Sequence, residues 1–477
     1  MPPRLRIATA AASVAVLGLH SVVGLTPTAV ADPCTGTVAN AQPPQPMPRA
    51  DTGGNMQPPT GHRPPNANSS APLPRLGELS RSLISAFNPN AARQQAQVNP
   101  APRPAPVQQQ PAPQPQRAPE PTVPAQDVPH PAMGNTPGTA IVGWVTGIDS
   151  AANTLNRFGV SGTDLGIMWD NGDPGNNQVL MAFGDTFGYC GVSGQQWRYN
   201  VLFRTQDRQL ARGINVQAGS MTNQYAGAPE IAPGYAKQIV NSIKWAPTEK
   251  GIIPTAGISV GNVQYMNIMS IRNWDSPGHW TTNFSAIAVS PDNGQHWGVY
   301  PGSVRTPAPN DVKNTQYTPG NEKFQQGAFL KGGDGYIYSY GTPAGRRGQL
   351  FISRVPQNAV PDLSRYEYWN GGSWVANNPG AAAPIADGQV GELSAQYNTY
   401  LRQYLIMYGN EAGDVLLRTA PAPQGPFSPP QMVVSAAQTP GGAYAPYLHP
   451  WSTGKELYYT LSLWSAYNVM LMKTTLP

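Results

Sequence analysis

The sequence predicts an all-β fold, a five-bladed β-propeller preceded by a disordered Pro-rich N-terminal region. Composition is the first ground. Among 477 residues, 50 Gly and 53 Pro stand against only 12% charged residues, the balance of a turn-rich β body joined to a proline-rich tract. The second ground is repetition: a three-strand unit recurs five times between Gly138 and the C-terminus. The third is one hairpin, Ser290 to Trp297, whose S-x-D-x-G-x-x-W spacing has the chemistry of a fixed turn.

Taken in chain order, residues 1–31 read as a signal peptide. Arg4 and Arg6 precede the apolar stretch 7–25, and Ala29-Val30-Ala31 offers a small-residue cleavage site. An uncleaved anchor is the alternative, weakened as a span by His20 and by the Ala and Ser content. No other stretch is long and apolar enough to cross a bilayer, so no stable membrane span is expected after cleavage. Cleavage takes away two Arg and no acids, so the formal charge of +5 becomes +3. That mild charge, with no basic cluster interleaved with aromatics, gives no support for nucleic-acid binding. The two cysteines, Cys34 and Cys190, are able to pair in an exported chain; two unpaired thiols are the other state open to them.

Residues 32–137 read as a Pro/Gln-rich spacer, typified by "NPAPRPAPVQQQPAPQPQRAPEP". Such a composition buries too little apolar surface to offset its ordering entropy. One stretch within it, 76–88, has the pattern of a short amphipathic helix without an evident partner.

Residues 138–477 read as the propeller. First strands are "DLGIMWD", "IPTAGISV", "QQGAFLKG", "ELSAQYNT" and "YAPYLHPW". Second strands are "VLMAFGDTF", "QYMNIMSI", "GYIYSYGT", "QYLIMYGN" and "ELYYTLSLW". Third strands begin at Asn200, Ser285, Gln349, Val415 and Asn468. The chain ends after the third strand of the last unit, which leaves residues 139–147 to supply the missing outer strand and close the ring. Ser290 to Trp297 falls between a third and a fourth strand. It matches the Asp box of sialidase-like propellers, so Asp292 and Trp297 are expected to be structural.

First strands line the axis of a propeller, and their polar residues meet in one mouth. Asp164 and Glu392 lie there, and Asp185, in "FGDTFG", ends a second strand at the same rim. Two or three carboxylates around a funnel suit glycoside hydrolysis, with one acid protonated and another ionised. The catalytic candidates are therefore Asp164, Asp185 and Glu392. The substrate-binding candidates are Trp169, Gln326, Arg346, Tyr397, Asn398, Tyr447 and His449, with Trp451 as a further stacking ring. No cofactor or catalytic metal is expected. The loop 170–177, "DNGDPGNN", has the composition of a structural calcium loop, but a solvated hairpin loop is the reading preferred for it.

The segments "TDLGIMWD", "FGDTFG", "YSYGTPAGRRG", "GELSAQYNTYLRQYLIMYGNE" and "YAPYLHPW" resemble the actinobacterial domain of unknown function 4185. That family includes mycobacterial endo-D-arabinofuranases of glycoside hydrolase family 183. The resemblance implies a carbohydrate-active five-bladed propeller with acidic residues in its funnel, of the kind that cuts the D-arabinan of arabinogalactan and lipoarabinomannan. It further implies that Asp164 and Asp185 match the acids of the first blade and Glu392 the acid opening the fourth. Five-bladed furanosidases usually place their acids on separate blades around an open funnel, so the resemblance also points to inversion. A monomer in the cell envelope, partnered by wall polysaccharide, is the expected state. The other class left open is a non-catalytic propeller that binds such polysaccharide or scaffolds envelope proteins.

Overall fold

The computed structural model describes residues 33–34, 38–44, 63, 138–309 and 312–477. The leader 1–31 and the stretch 76–88 lie outside the described residues.

Five sheets surround one axis. Blade 1 holds Gly162–Asp170, Val179–Phe187 and Val201–Thr205. Blade 2 holds Gly251–Val260, Val263–Ser276, His279–Ser290 and Gly298–Val299. Blade 3 runs Gln326–Lys331, Tyr336–Thr342, Gly348–Pro356, Glu367–Trp369 and Trp374–Ala376, with Ala386–Val390 paired to its third strand. Blade 4 is Leu393–Asn398, Gln403–Gly409, Val415–Ala420 and Gln431–Val434. Blade 5 is Ala443–Leu448, Glu456–Leu463 and Asn468–Thr475. Its outermost strand is Thr139–Trp144, antiparallel to the last strand with Thr139 opposite Thr474 and Trp144 opposite Met470. The ring therefore closes as the sequence predicts. A single α-helix among the described residues, Thr154–Phe158, leads from the closing strand to blade 1.

The middle strands explain why alternation is weak in this sequence. Val179–Phe187 is buried at all nine positions, and Glu456–Leu463 at every position after Glu456. A strand clamped between neighbouring blades is apolar on both faces, so it reads as a continuous apolar run. Each large aliphatic or aromatic side chain removed from water there contributes about 1.5–3 kcal/mol. Phe183 against Phe203, with ring centroids 5.2 Å apart, is one such contact.

The S-x-D-x-G-x-x-W hairpin lies between the third and fourth strands of blade 2. Ser290 Oγ donates to Asp292 Oδ1 at 2.8 Å and accepts from the Gly294 N–H at 2.9 Å. Asp292 Oδ1 also accepts from the His296 N–H at 2.9 Å. Trp297 Nε1 donates to the Gly294 carbonyl at 3.1 Å. Asn293 and Gly294 have φ of 54° and 78°, which explains an Asn-Gly pair at this spot. The hairpin also joins blades: Arg204 of blade 1 donates to the Asn293 carbonyl and to Gln295 Oε1 at 2.8 and 3.0 Å.

Residues counted with the spacer in the sequence reading dock on blade 1. Cys34 and Cys190 form a disulfide, with Cα atoms 5.3 Å apart. Gln42 Nε2 donates to the Gly191 carbonyl at 2.8 Å, and Val38 packs with Leu155, Tyr189 and Tyr235.

Candidate active site

Neighbouring inner strands touch all round the ring, and their ends register. Asp164 meets Tyr444 near the start of their strands, and Asp170, the last residue of its strand, meets Trp451 just past the end of the other. One rim therefore gathers the beginnings of inner strands and the loops between second and third strands. Asp164, Gln326, Arg346, Glu392, Tyr444, Trp464 and Tyr467 come from such positions, and Asp185 from the last residues of a second strand at the same rim.

Asp164 and Asp185 are both 0% exposed. Their strands pair through Thr163 and Thr186, whose hydroxyls are 2.7 Å apart, and register breaks just beyond. A Cβ on Gly184 would stand 2.5 Å from Asp164 Oδ1, so glycine is required for the Asp164 carboxylate to lie over the residue beside Asp185. The break is costly locally. Leu165 adopts φ 72°, a conformation that non-glycine residues hold only when their surroundings enforce it. Blade 5 enforces it: Ser462 Oγ accepts from the Leu165 N–H, and Thr460 Oγ1 donates to the Gly166 carbonyl, both at 2.8 Å. A bulge of this kind re-aims a side chain, here Asp164.

Burial, followed by the charge of Asp164, pushes the Asp185 carboxyl well above the usual carboxylate range. The Trp197 indole N–H faces it without reaching hydrogen-bond geometry and offsets part of the effect. Neither Asp185 oxygen has a hydrogen-bond partner among the described residues, and Trp464 Nε1 and Gln326 Oε1 are in the same condition. Buried polar atoms without partners at one rim call for an explanation, and a polar ligand is one.

Glu392 has a different setting. Arg346 Nε and Nη2 donate to its two oxygens at 2.8 and 2.6 Å, and both side chains are buried. Burial alone would lower the Arg346 pKa. The Glu392 carboxylate, with Tyr444 and Asp164 behind it, more than reverses that. The pair holds Glu392 ionised and Arg346 charged. Arg346 Nη1 also donates to the Arg63 carbonyl at 3.3 Å, so the N-terminal tract reaches this rim.

The predicted binding residues divide between two levels. Gln326 and Arg346 join the acids, and Tyr447 lies below them, its hydroxyl pKa raised by burial and then by Glu392 and Asp164. Trp169, Tyr397, Asn398 and His449 lie at the far ends of inner strands, facing the opposite rim. His449 lies five positions on from Tyr444, which at about 3.3 Å per position is roughly 16 Å at most. Trp169 is enclosed, its indole donating to Gln264 Oε1 at 2.9 Å and packing edge-on against Trp297. Asn398 Nδ2 donates to the Gly454 carbonyl at 2.8 Å. His449 has its pKa pushed down to about 3, by burial and then by Arg208, so it is a neutral imidazole. The calcium-like loop hydrogen-bonds to itself: Asp170 and Asp173 accept from the N–H groups of Gly172 and Gly175. Among the described residues no three His, Cys, Asp or Glu side chains are grouped to hold a metal ion.

Sequence reasoning missed Tyr444, Tyr467, Trp197 and Trp464. Tyr444 opens an inner strand and the others follow second strands. The repeat that located Asp164 and Asp185 also marks these positions.

Two fungal proteins are similar over most of their length. One is Notoamide biosynthesis cluster protein J′ of Aspergillus versicolor, 28% identical over 327 residues, covering 65% of this chain and 83% of that protein. The other is protein J of the same name from Aspergillus sp. (strain MF297-2), 26% identical, with coverage of 65% and 81%. Among solved structures, the α-L-arabinofuranosidase of Podospora anserina in complex with cellotriose matches at 12% identity and a TM-score of 0.38, covering 72% of this chain and 98% of that one. A GH43_1 enzyme of Xanthomonas citri complexed with xylotriose matches at 12% identity and a TM-score of 0.38, covering 66% and 87%. The family model of the domain of unknown function DUF4185 matches residues 149–473, and the chain belongs to that family.

Proposed function

We propose that this protein is a glycoside hydrolase in which Asp185 is the general acid and Asp164 the base or nucleophile. One observation carries the reading: two fully buried carboxyls share the rim of a propeller, and one of them is set to keep its proton. Glycosidic cleavage asks for this division of labour, a proton for the leaving oxygen and a carboxylate for water or the anomeric carbon. Glu392, locked to Arg346, is the ionised wall of the same site and has no proton to give. The substrate class, D-arabinan of the mycobacterial type cut internally, comes from the resemblance set out above, and export to the cell envelope from the leader-like residues 1–31. The separate-blade ground for inversion does not apply to this pair, which lies on neighbouring strands of blade 1, so the anomer of the first product decides the stereochemistry. Incubation of purified protein with arabinogalactan, followed by chromatography of the products, tests the reading. Release of short arabino-oligosaccharides, with the anomer of the first product followed by NMR, is the expected result. Tight polysaccharide binding with no product would instead establish a binding propeller.

A further inference from the structure

We propose that Tyr444 is a positioning residue that holds the carboxylate of Asp164 in its working orientation. The proposal rests on the hydrolase reading above and adds a residue that the paired acids alone do not reveal. Tyr444 is the second residue of the inner strand of blade 5 and is buried. Its hydroxyl donates to Asp164 Oδ2 at 3.0 Å. Its ring packs against the Arg346 guanidinium, 5.1 Å from the ring centroid, and against Trp464 at 6.3 Å. Arg346 is itself fixed by its two bonds to Glu392. A chain of contacts thus runs from Glu392 on blade 4, through Arg346 on blade 3 and Tyr444 on blade 5, to Asp164 on blade 1.

The backbone is shaped to the same end. Ala445, the next residue, has φ 54°, and strand register is lost between Tyr444 and Tyr447. Facing it, Leu165 is bent in the same sense directly after Asp164. Two inner strands of different blades each carry a left-handed non-glycine residue beside the member of one hydrogen bond. A regular strand at either place would turn Tyr444 or Asp164 away from the other. Backbone strain kept on both sides of a single contact points to a contact that must be held in place.

Tyr444→Phe keeps the ring and its packing against Arg346 and removes the hydroxyl. In the full chain acting on arabinogalactan, kcat should fall on the order of 10²-fold, the effect of a misplaced reacting group. KM should stay within about twofold, because substrate contacts are untouched. A thermal cycle needs no substrate. Tyr444→Phe should lower Tm in the wild-type background and leave it unchanged in an Asp164→Ala background, where the bond is already absent. Equal Tm losses in both backgrounds, or unchanged kcat in an active enzyme, would overturn the proposal. If the wild type releases nothing from arabinan, the hydrolase reading fails, and the thermal cycle still decides whether Tyr444 holds Asp164.

Discussion

At Asp185, burial is met by no hydrogen bond among the described residues and is sharpened by a neighbouring carboxylate, so the protonated form is favoured well above the usual carboxylate range. That has opposite consequences for function and for stability. Asp185→Asn removes the transferable proton, and turnover on arabinan should fall by about 10²- to 10⁴-fold. The same substitution should raise Tm at neutral pH. A carboxyl whose folded pKa exceeds its unfolded value binds more protons folded than unfolded, so it destabilises the fold increasingly as pH rises above about 4. The Tm advantage of the Asn variant should therefore vanish on acidification to that range. Melting curves from pH 4 to 8 check this, and a Tm gain independent of pH would refute the assignment. Glu392 is the reverse case. Glu392→Gln leaves the Arg346 cation buried without its partner, and stability should fall by about 3–5 kcal/mol in denaturant titrations. A loss of activity without that destabilisation would instead make Glu392 a proton carrier.

At the scale of single elements, the blade 2 hairpin separates stability from chemistry. Asp292 accepts from Ser290 and His296 within the turn, and the turn bridges to Arg204 of blade 1. Asp292→Asn should lower Tm by a few degrees, the equivalent of about 1–2 kcal/mol, while turnover per folded molecule stays unchanged. A large loss of kcat at wild-type Tm would place the hairpin in the site. This element was legible in the sequence because each of its residue types answers one local demand. The strand repeat was legible for a similar reason, since every blade repeats the same three apolar runs. Tyr444 and Arg346 acquire their roles only when blades 1, 3, 4 and 5 meet. Nothing near Glu392 in sequence announces the guanidinium that neutralises it, because its partner lies 46 residues away. Trp169 and His449 illustrate the converse. Trp169 lies in an inner strand and His449 directly follows one, yet a strand has two ends, and composition does not tell which rim a residue faces.

The whole molecule depends on a ring closed by residues far apart in the chain. Thr139–Trp144 completes blade 5, and Ile141 and Trp144 pack with Met470, Met472 and Leu476. The Cys34–Cys190 disulfide ties a second N-terminal segment to blade 1 across a separation of 156 residues. These two attachments differ in kind. The disulfide acts mainly by restricting the unfolded chain, a contribution of about 2–4 kcal/mol. The closing strand supplies hydrogen bonds and apolar cover for a strand whose edge would otherwise be open. A chain beginning at Gly138 should therefore fold and melt cooperatively, at a Tm lower by several degrees. Reduced full-length protein should show a Tm shift of the same sign. A chain beginning at Val145 should lose the cover of Asn468–Thr475 and with it the blade that presents Tyr444 to Asp164. It should elute as aggregate in size-exclusion chromatography and lack a cooperative melt. If it remained monomeric and as stable as the chain from Gly138, the closing strand would be an ornament on an already complete ring, and the dependence of the acid rim on closure would fall with it.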